Sequence, residues 1–103
     1  ETILMDEPFG GLDTMTKEGL QEAILHIWET KKKTIIFVTH DLEEAAFLAD
    51  RVFVLQKGGG LQIMPIELPR PRTASMRTEP ALQDYRRRLG DLIRGAEGDT
   101  HGH

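Results

Sequence analysis

The chain has 103 residues, enough for one ordinary domain with a single core but not for two. Thirteen Lys and Arg against seventeen Asp and Glu leave a net charge of −4, which excludes a global electrostatic pull toward nucleic acid or an anionic membrane. The absence of cysteine excludes disulfides, thiolate metal sites and a cysteine nucleophile, and it fits a reducing compartment.

In chain order, "TILM" from Thr2 is short, apolar and ended by Asp6-Glu7-Pro8, which predicts a buried strand. Leu20, Ile24, Ile27 and Trp28 recur at helical spacing and predict a helix over about Thr14 to Lys31 with those four on its packed face. Gly19 costs that helix about 1 kcal/mol relative to alanine. "TIIFVT", Thr34 to Thr39, and "RVFVL", Arg51 to Leu55, predict two more buried strands. Runs without polar alternation imply a parallel sheet covered on both faces. The longest apolar run, "TIIFV", is far short of the roughly 20 residues that span a bilayer. Asp41 with Glu44 predicts a capping box opening a short helix through "LEEAAFLA". The order β-α-β-α-β predicts a doubly wound α/β fold.

"KGGG", Lys57 to Gly60, predicts a turn, and Pro65 restricts the following "LQIMPIEL" to an edge strand, giving a hairpin that caps the sheet. From Pro69, "PRPRTASMRTEP" reads as an extended linker. Leu82, Tyr85, Leu89, Leu92 and Ile93 define a final amphipathic helix, and "GAEGDTHGH" reads as a frayed end. Residues 1–68 are thus expected to form an α/β domain portion and residues 69–103 a linker, helix and tail. No internal repeat is visible.

The first strand delivers Asp6 and Glu7 at its carboxyl end, the rim where open α/β sheets bind ligands, and the second delivers His40 to the same rim. One reading is a metal and acid/base site: Asp6 as a hard oxygen ligand for Mg²⁺, Glu7 as a general base toward water, His40 as a hydrogen-bonding group. The other is that Asp6 caps the following turn, Glu7 is solvated, and His40 enters the helix beside Asp41.

The residues themselves are more specific. "ILMDEPFGGLD" resembles the Walker B motif and D-loop of ABC-type ATPases, and "IIFVTHDLEEAAFLADRVFVL" resembles their H-loop strand, the helix after it and the next strand. With "IELPRPR", these stretches look most like the ATPase subunits of bacterial importers for nitrate, sulfonate, taurine or related small anions. The resemblance covers about half the chain. It implies a partial P-loop NTPase-like, mostly parallel sheet flanked by helices, with a C-terminal hairpin and helix. It implies that Asp6 holds Mg²⁺, that Glu7 polarises the attacking water, and that His40 contacts the γ-phosphate of ATP and orients that water. Asp13, in the D-loop, would face a second ATPase subunit across a head-to-tail dimer, with Pro8 and Gly11 shaping the turn that brings it there. The parent protein would be cytoplasmic, peripheral to the inner face of the plasma membrane and docked on a membrane permease.

The sequence departs from that family at one decisive point. It has no G-x-x-x-x-G-K-S/T loop to cradle phosphates, "KGGG" follows a different strand without opening a helix, and the "LSGGQ" signature and Q-loop are missing. In a full domain these precede the point where this chain starts, so Glu1 looks like a cut through a larger protein. Phosphoryl transfer is mainly positioning and electrostatic stabilisation, so the isolated chain is expected not to turn over ATP. In the family's fold the phosphate-loop strand lies between the strands matching "TIIFV" and "RVFVL". The sheet should therefore lack a central strand, and closure of the sheet, pairing with a second copy or marginal folding are the available outcomes.

A second hypothesis makes the chain a non-catalytic interaction or dimerisation module derived from such an ATPase. Arg70, Arg72, Arg77 and the run Arg86 to Arg88 would then be its contacts. Against a nucleic-acid partner, no aromatics interleave with these arginines as stacking would require, so a solvated linker and an outer helix face is the simpler reading. ATPases of chromosome maintenance and repair share the strand tip, but "HDLEEAAFLADRVFVL" favours the importers. His26 reads as a surface or partly packed position, and His101 and His103 as part of a disordered tail.

Overall fold

A computed structural model describes residues 2–31, 33–56 and 58–98. Its elements are β1 (Thr2–Asp6), α1 (Thr14–Lys31), β2 (Thr34–Val38), α2 (Leu42–Leu48), β3 (Arg51–Leu55), β4 (Leu61–Pro65), a 3₁₀ turn (Ala74–Thr78) and α3 (Pro80–Gly98). The described residues form a small α/β fold with three α-helices and two two-stranded sheets. Lys57, His101 and His103, which the sequence reading touched, lie outside the described residues.

The single, mostly parallel sheet expected from the sequence is not formed. β1 and β2 pair in parallel, with Thr2 opposite Thr34 and Asp6 opposite Val38. β3 pairs only with β4, antiparallel, Arg51 opposite Pro65 and Leu55 opposite Leu61. The reason is local. A parallel β2–β3 pair needs a crossover of about a dozen residues, which the 39–50 connection only just supplies, whereas β3 and β4 follow one another across a short turn. The β3–β4 turn closes cheaply because Gly58 and Gly59 supply backbone φ of 89° and 100°, a region costly for any residue with a Cβ. Pro65 ends β4 on the sheet edge, as its missing N–H requires.

The core gathers α2, α3 and the hairpin. Phe47, Leu82 and Leu89 are fully buried, joined by Ala46, Val54, Ile66, Leu68, Met76 and Leu25 of α1. β1 and β2 contribute no fully buried residue. The expected sheet was to be covered on both faces, yet each of the two sheets formed leaves one face open. Leu4, Ile36 and Val38 are exposed on the parallel pair, and Phe53, Leu55, Leu61 and Ile63 on the hairpin.

Two further expectations are corrected. The packed face of α1 is centred on Gln21 and Leu25, and Leu20 and Ile27 of the predicted stripe are exposed. The helix turns that way because Arg77 reaches it: its guanidinium donates to Gln21 Oε1 at 2.9 Å, to Glu22 Oε2 at 3.0 Å and to the Glu18 carbonyl at 3.4 Å. The stretch from Pro69 is not a solvated linker, since Arg72, Met76 and Arg77 are buried. Arg72 donates to the carbonyls of Ala46, Phe47 and Ala49 at the end of α2 and to those of Ile66 and Leu68. Arg77 also lies 4.3 Å over the Phe47 ring, and Arg70 4.3 Å over the Trp28 ring. Arg72 and Arg77 thus face inward, and Arg70 is largely occupied by Trp28 and Asp50.

Candidate functional site

β1 ends at Asp6, and the chain turns at once because Glu7 adopts a φ of 48°. A residue with a Cβ enters that region at a cost, and such backbone concentrates where a side chain must be aimed. The turn is pinned from both sides. Glu7 N–H donates to the Val38 carbonyl at 2.8 Å, and Gly10 N–H to the Glu7 carbonyl at 3.2 Å. Phe9 is buried, its ring 5.5 Å from that of Phe37 on β2. Gly11, at φ 82°, then releases the chain into α1.

Parallel pairing brings the carboxyl ends of β1 and β2 to one rim, and there the Glu7 carboxylate and His40 Nδ1 are hydrogen-bonded. The pair is open to solvent: the His40 side chain is 94% exposed and that of Glu7 40%. Asp6 is also exposed, one residue before Glu7 on the strand tip. A cleft of about 390 Å³ opens between the Glu7–Leu12 loop and the Thr39–Asp41 loop, with Lys17 and Glu44 in its wall. Of the four residues singled out from sequence, the cleft gathers Glu7 and His40. Asp6 and Asp13 lie outside its lining.

Asp13 caps its own helix. Its carboxylate accepts from Thr16 N–H at 3.1 Å and from Thr16 Oγ1 at 2.7 Å, and these bonds hold its pKa below the usual value of 3.8. Asp41 likewise caps α2, accepting from Glu43 N–H at 2.9 Å and Glu44 N–H at 3.2 Å. The reciprocal half of the expected capping box is absent. Thr39 Oγ1 takes over, accepting from Asp41 N–H at 3.0 Å and donating to Glu44 Oε1 at 2.6 Å. Glu44 is buried, and desolvation raises its pKa despite the Thr39 hydrogen bond. Lys17 Nζ lies 3.5 Å from Asp41 Oδ2 and ties α1 to the same loop. Sequence reasoning did not find Phe9, Lys17, Thr39 or the role of Glu44. Thr39 and Glu44, flanking "HD" at short spacing, were the legible signal.

Chemically, the rim offers one exposed carboxylate beside a carboxylate–imidazole pair. Among the described residues no cluster of three His, Asp or Glu is placed to hold a metal ion. A lone carboxylate suits Mg²⁺, which binds one or two protein carboxylates and takes its other ligands from water and substrate phosphates. The described residues include no G-x-x-x-x-G-K-S/T loop to hold those phosphates. No helix among them is long and apolar enough to cross a membrane.

No family model matches the chain. Individual proteins do. The chain is 44% identical over 100 residues to a nitrate import ATP-binding protein of Synechococcus elongatus, covering 84% of this chain and 36% of that one. It is 42% identical over 91 residues to an aliphatic sulfonates import ATP-binding protein of Bacillus licheniformis, covering 86% and 34%. It is 41% identical over 97 residues to a bicarbonate transport ATP-binding protein of Synechococcus elongatus, covering 90% and 35%. The chain spans 34–40% of the length of the curated relatives it matches. At 41–44% identity over 84–90% of its residues, the chain belongs to the ABC transporter ATP-binding proteins, of which it represents a part.

Proposed function

We propose that the chain is the C-terminal portion of an ABC importer ATPase and holds the water-activating half of its ATP site. The observation that supports this reading best is the hydrogen bond between Glu7 and His40 across two adjacent strand tips. In that reading Glu7 accepts a proton from the attacking water, while His40 fixes the Glu7 carboxylate and presents its remaining ring nitrogen to the γ-phosphate. Asp6 is the residue that would hold Mg²⁺, and bound Mg²⁺ supplies charge neutralisation on the phosphates. Asp13 is the contact toward a second ATPase subunit, and its short capping bonds keep the loop before α1 in one shape for that purpose.

The importer setting follows from relatives whose names specify nitrate, sulfonate and bicarbonate transport. The complete ATPase would work in the cytoplasm, docked on a membrane permease and driving uptake of a small anion. The chain by itself would not turn over ATP, since Glu7 has no positioned phosphate or water to act on. The open faces around Leu4, Ile36 and Phe53 favour self-association of the isolated chain. They are also what a non-catalytic dimerisation module would use, the second reading.

The test is calorimetric titration of the purified chain with Mg²⁺·ATP, with Asp6→Asn as control. No heat from either protein is the expected result, followed by a turnover assay that reads background. Robust hydrolysis abolished by Glu7→Gln would overturn the inactive half-site.

A further inference from the structure

Lys17 is, among the described residues, the single Lys or Arg lining the cleft, and it stands among three carboxylates. Asp41 is its ion-pair partner, and Glu44 and Glu7 line the same cleft. Lys17 sits one turn after Asp13, and its N–H donates to the Asp13 carbonyl at 2.9 Å. Asp41 follows His40 directly and caps α2 through its other oxygen, Oδ1, leaving Oδ2 for Lys17. The two loops that bear Asp13 and His40 are therefore joined by one side-chain bond. His40 itself is exposed, so its orientation depends on how its loop is held. Thr39 and Glu44 hold that loop to α2, and Lys17 holds it to α1.

We infer that Lys17 is a positioning residue that couples the Asp13 loop to the His40 loop, so that closing the Lys17–Asp41 pair favours the Glu7–His40 contact. This places a mechanical link between the group that would face a second subunit and the group that would face the γ-phosphate. Its meaning for catalysis rests on the proposed function, but the coupling is a property of the chain alone.

The experiment uses the full chain without nucleotide. The Glu7–His40 contact is followed by the ¹⁵N resonance of His40 Nδ1, assigned with His40→Gln, in Lys17→Met, Lys17→Arg and Asp41→Asn. Asn caps a helix about as well as Asp, so Asp41→Asn removes only the charge that faces Lys17. Lys17→Met and Asp41→Asn should each lower the population of the contact about two- to fivefold, the scale of a part-exposed ion pair. The double variant should lose no more than either single one, and Lys17→Arg should retain the contact. Thermal unfolding reads whether the fold is kept, and Asp41→Asn serves as the informative variant if Lys17→Met lowers it. An unchanged His40 resonance in Asp41→Asn, or additive losses in the double variant, overturns the coupling. Neither result touches nucleotide binding, so failure of the ATP reading and failure of the link are seen separately.

Discussion

The guanidinium of Arg72 donates to the carbonyl of Ala49 at 2.6 Å, the shortest of five bonds it makes to backbone oxygens. Three of those oxygens lie at the C-terminal end of α2, where the last turn leaves carbonyls unpaired and the helix dipole is negative. None of the five acceptors is a carboxylate. Burial pushes the Arg72 pKa down to about 10, which still leaves it charged at neutral pH.

Replacing Arg72 by Met should therefore destabilise the fold by about 3 kcal/mol or more, because several buried carbonyls lose their donor at once. Lysine should recover only part of this, since a point ammonium cannot reach both the end of α2 and the 66–68 segment in the same geometry. Urea unfolding of both variants measures it. A loss below about 1 kcal/mol in Arg72→Met would mean that water satisfies those carbonyls.

Glu44 predicts a pH dependence. An acid whose pKa rises on folding holds its proton more tightly in the native state. Its contribution to stability is complete below the unfolded value of 4.5 and is lost as pH rises toward the raised folded value. Glu44→Gln keeps an oxygen to accept from Thr39 and cannot ionise. The variant should be at least as stable as the parent at neutral pH, and the difference between the two should shrink toward acid. Urea midpoints taken from about pH 4 to about pH 8 give that difference curve, and a flat one would remove burial as the cause.

Two glycines should respond with opposite sign. Gly19 is helical and a Cβ there meets no heavy atom within 4 Å, so Gly19→Ala should stabilise by about 0.5–1 kcal/mol. Gly11 has equal space but a φ of 82°, so Gly11→Ala should cost about 1 kcal/mol through backbone strain alone. Thermal melts of the two variants separate conformation from crowding, because neither added methyl touches anything.

The exposed sheet faces predict concentration-dependent association. Ile36→Lys on the parallel pair and Ile63→Lys on the hairpin place a charge on open apolar surface without disturbing any buried side chain. Sedimentation at micromolar concentration should show the parent associating and the variants less so. A compact monomer in all three would mean the faces stay wet.

The sequence was informative where local chemistry decides structure. α1 runs over the predicted Thr14–Lys31, all three predicted strands form, and Asp41 caps α2. Glu7 and His40 meet as expected because adjacent strand tips need only parallel pairing to bring them together. What failed depended on distant parts of the chain. The α1 stripe could not reveal that Arg77, 55 residues beyond Glu22, would claim the Gln21 side of the helix. An arginine among prolines looks solvated until five carbonyls from two separate segments converge on it, as they do on Arg72. The single sheet failed because strand patterns record burial and not which neighbour provides the ladder.

β1 and β2 bear Asp6, Glu7 and the approach to His40, yet no residue of either strand is fully buried. The strand pair that carries this rim is therefore expected to open more readily than the packed core. The amides of this pair should exchange with deuterium through local opening, well ahead of those around Phe47, Leu82 and Leu89. A melting curve followed by helical signal reports mainly the long helices α1 and α3 and does not read directly whether Glu7 and His40 are together. A sample can thus keep its packed core while the Glu7–His40 contact is open.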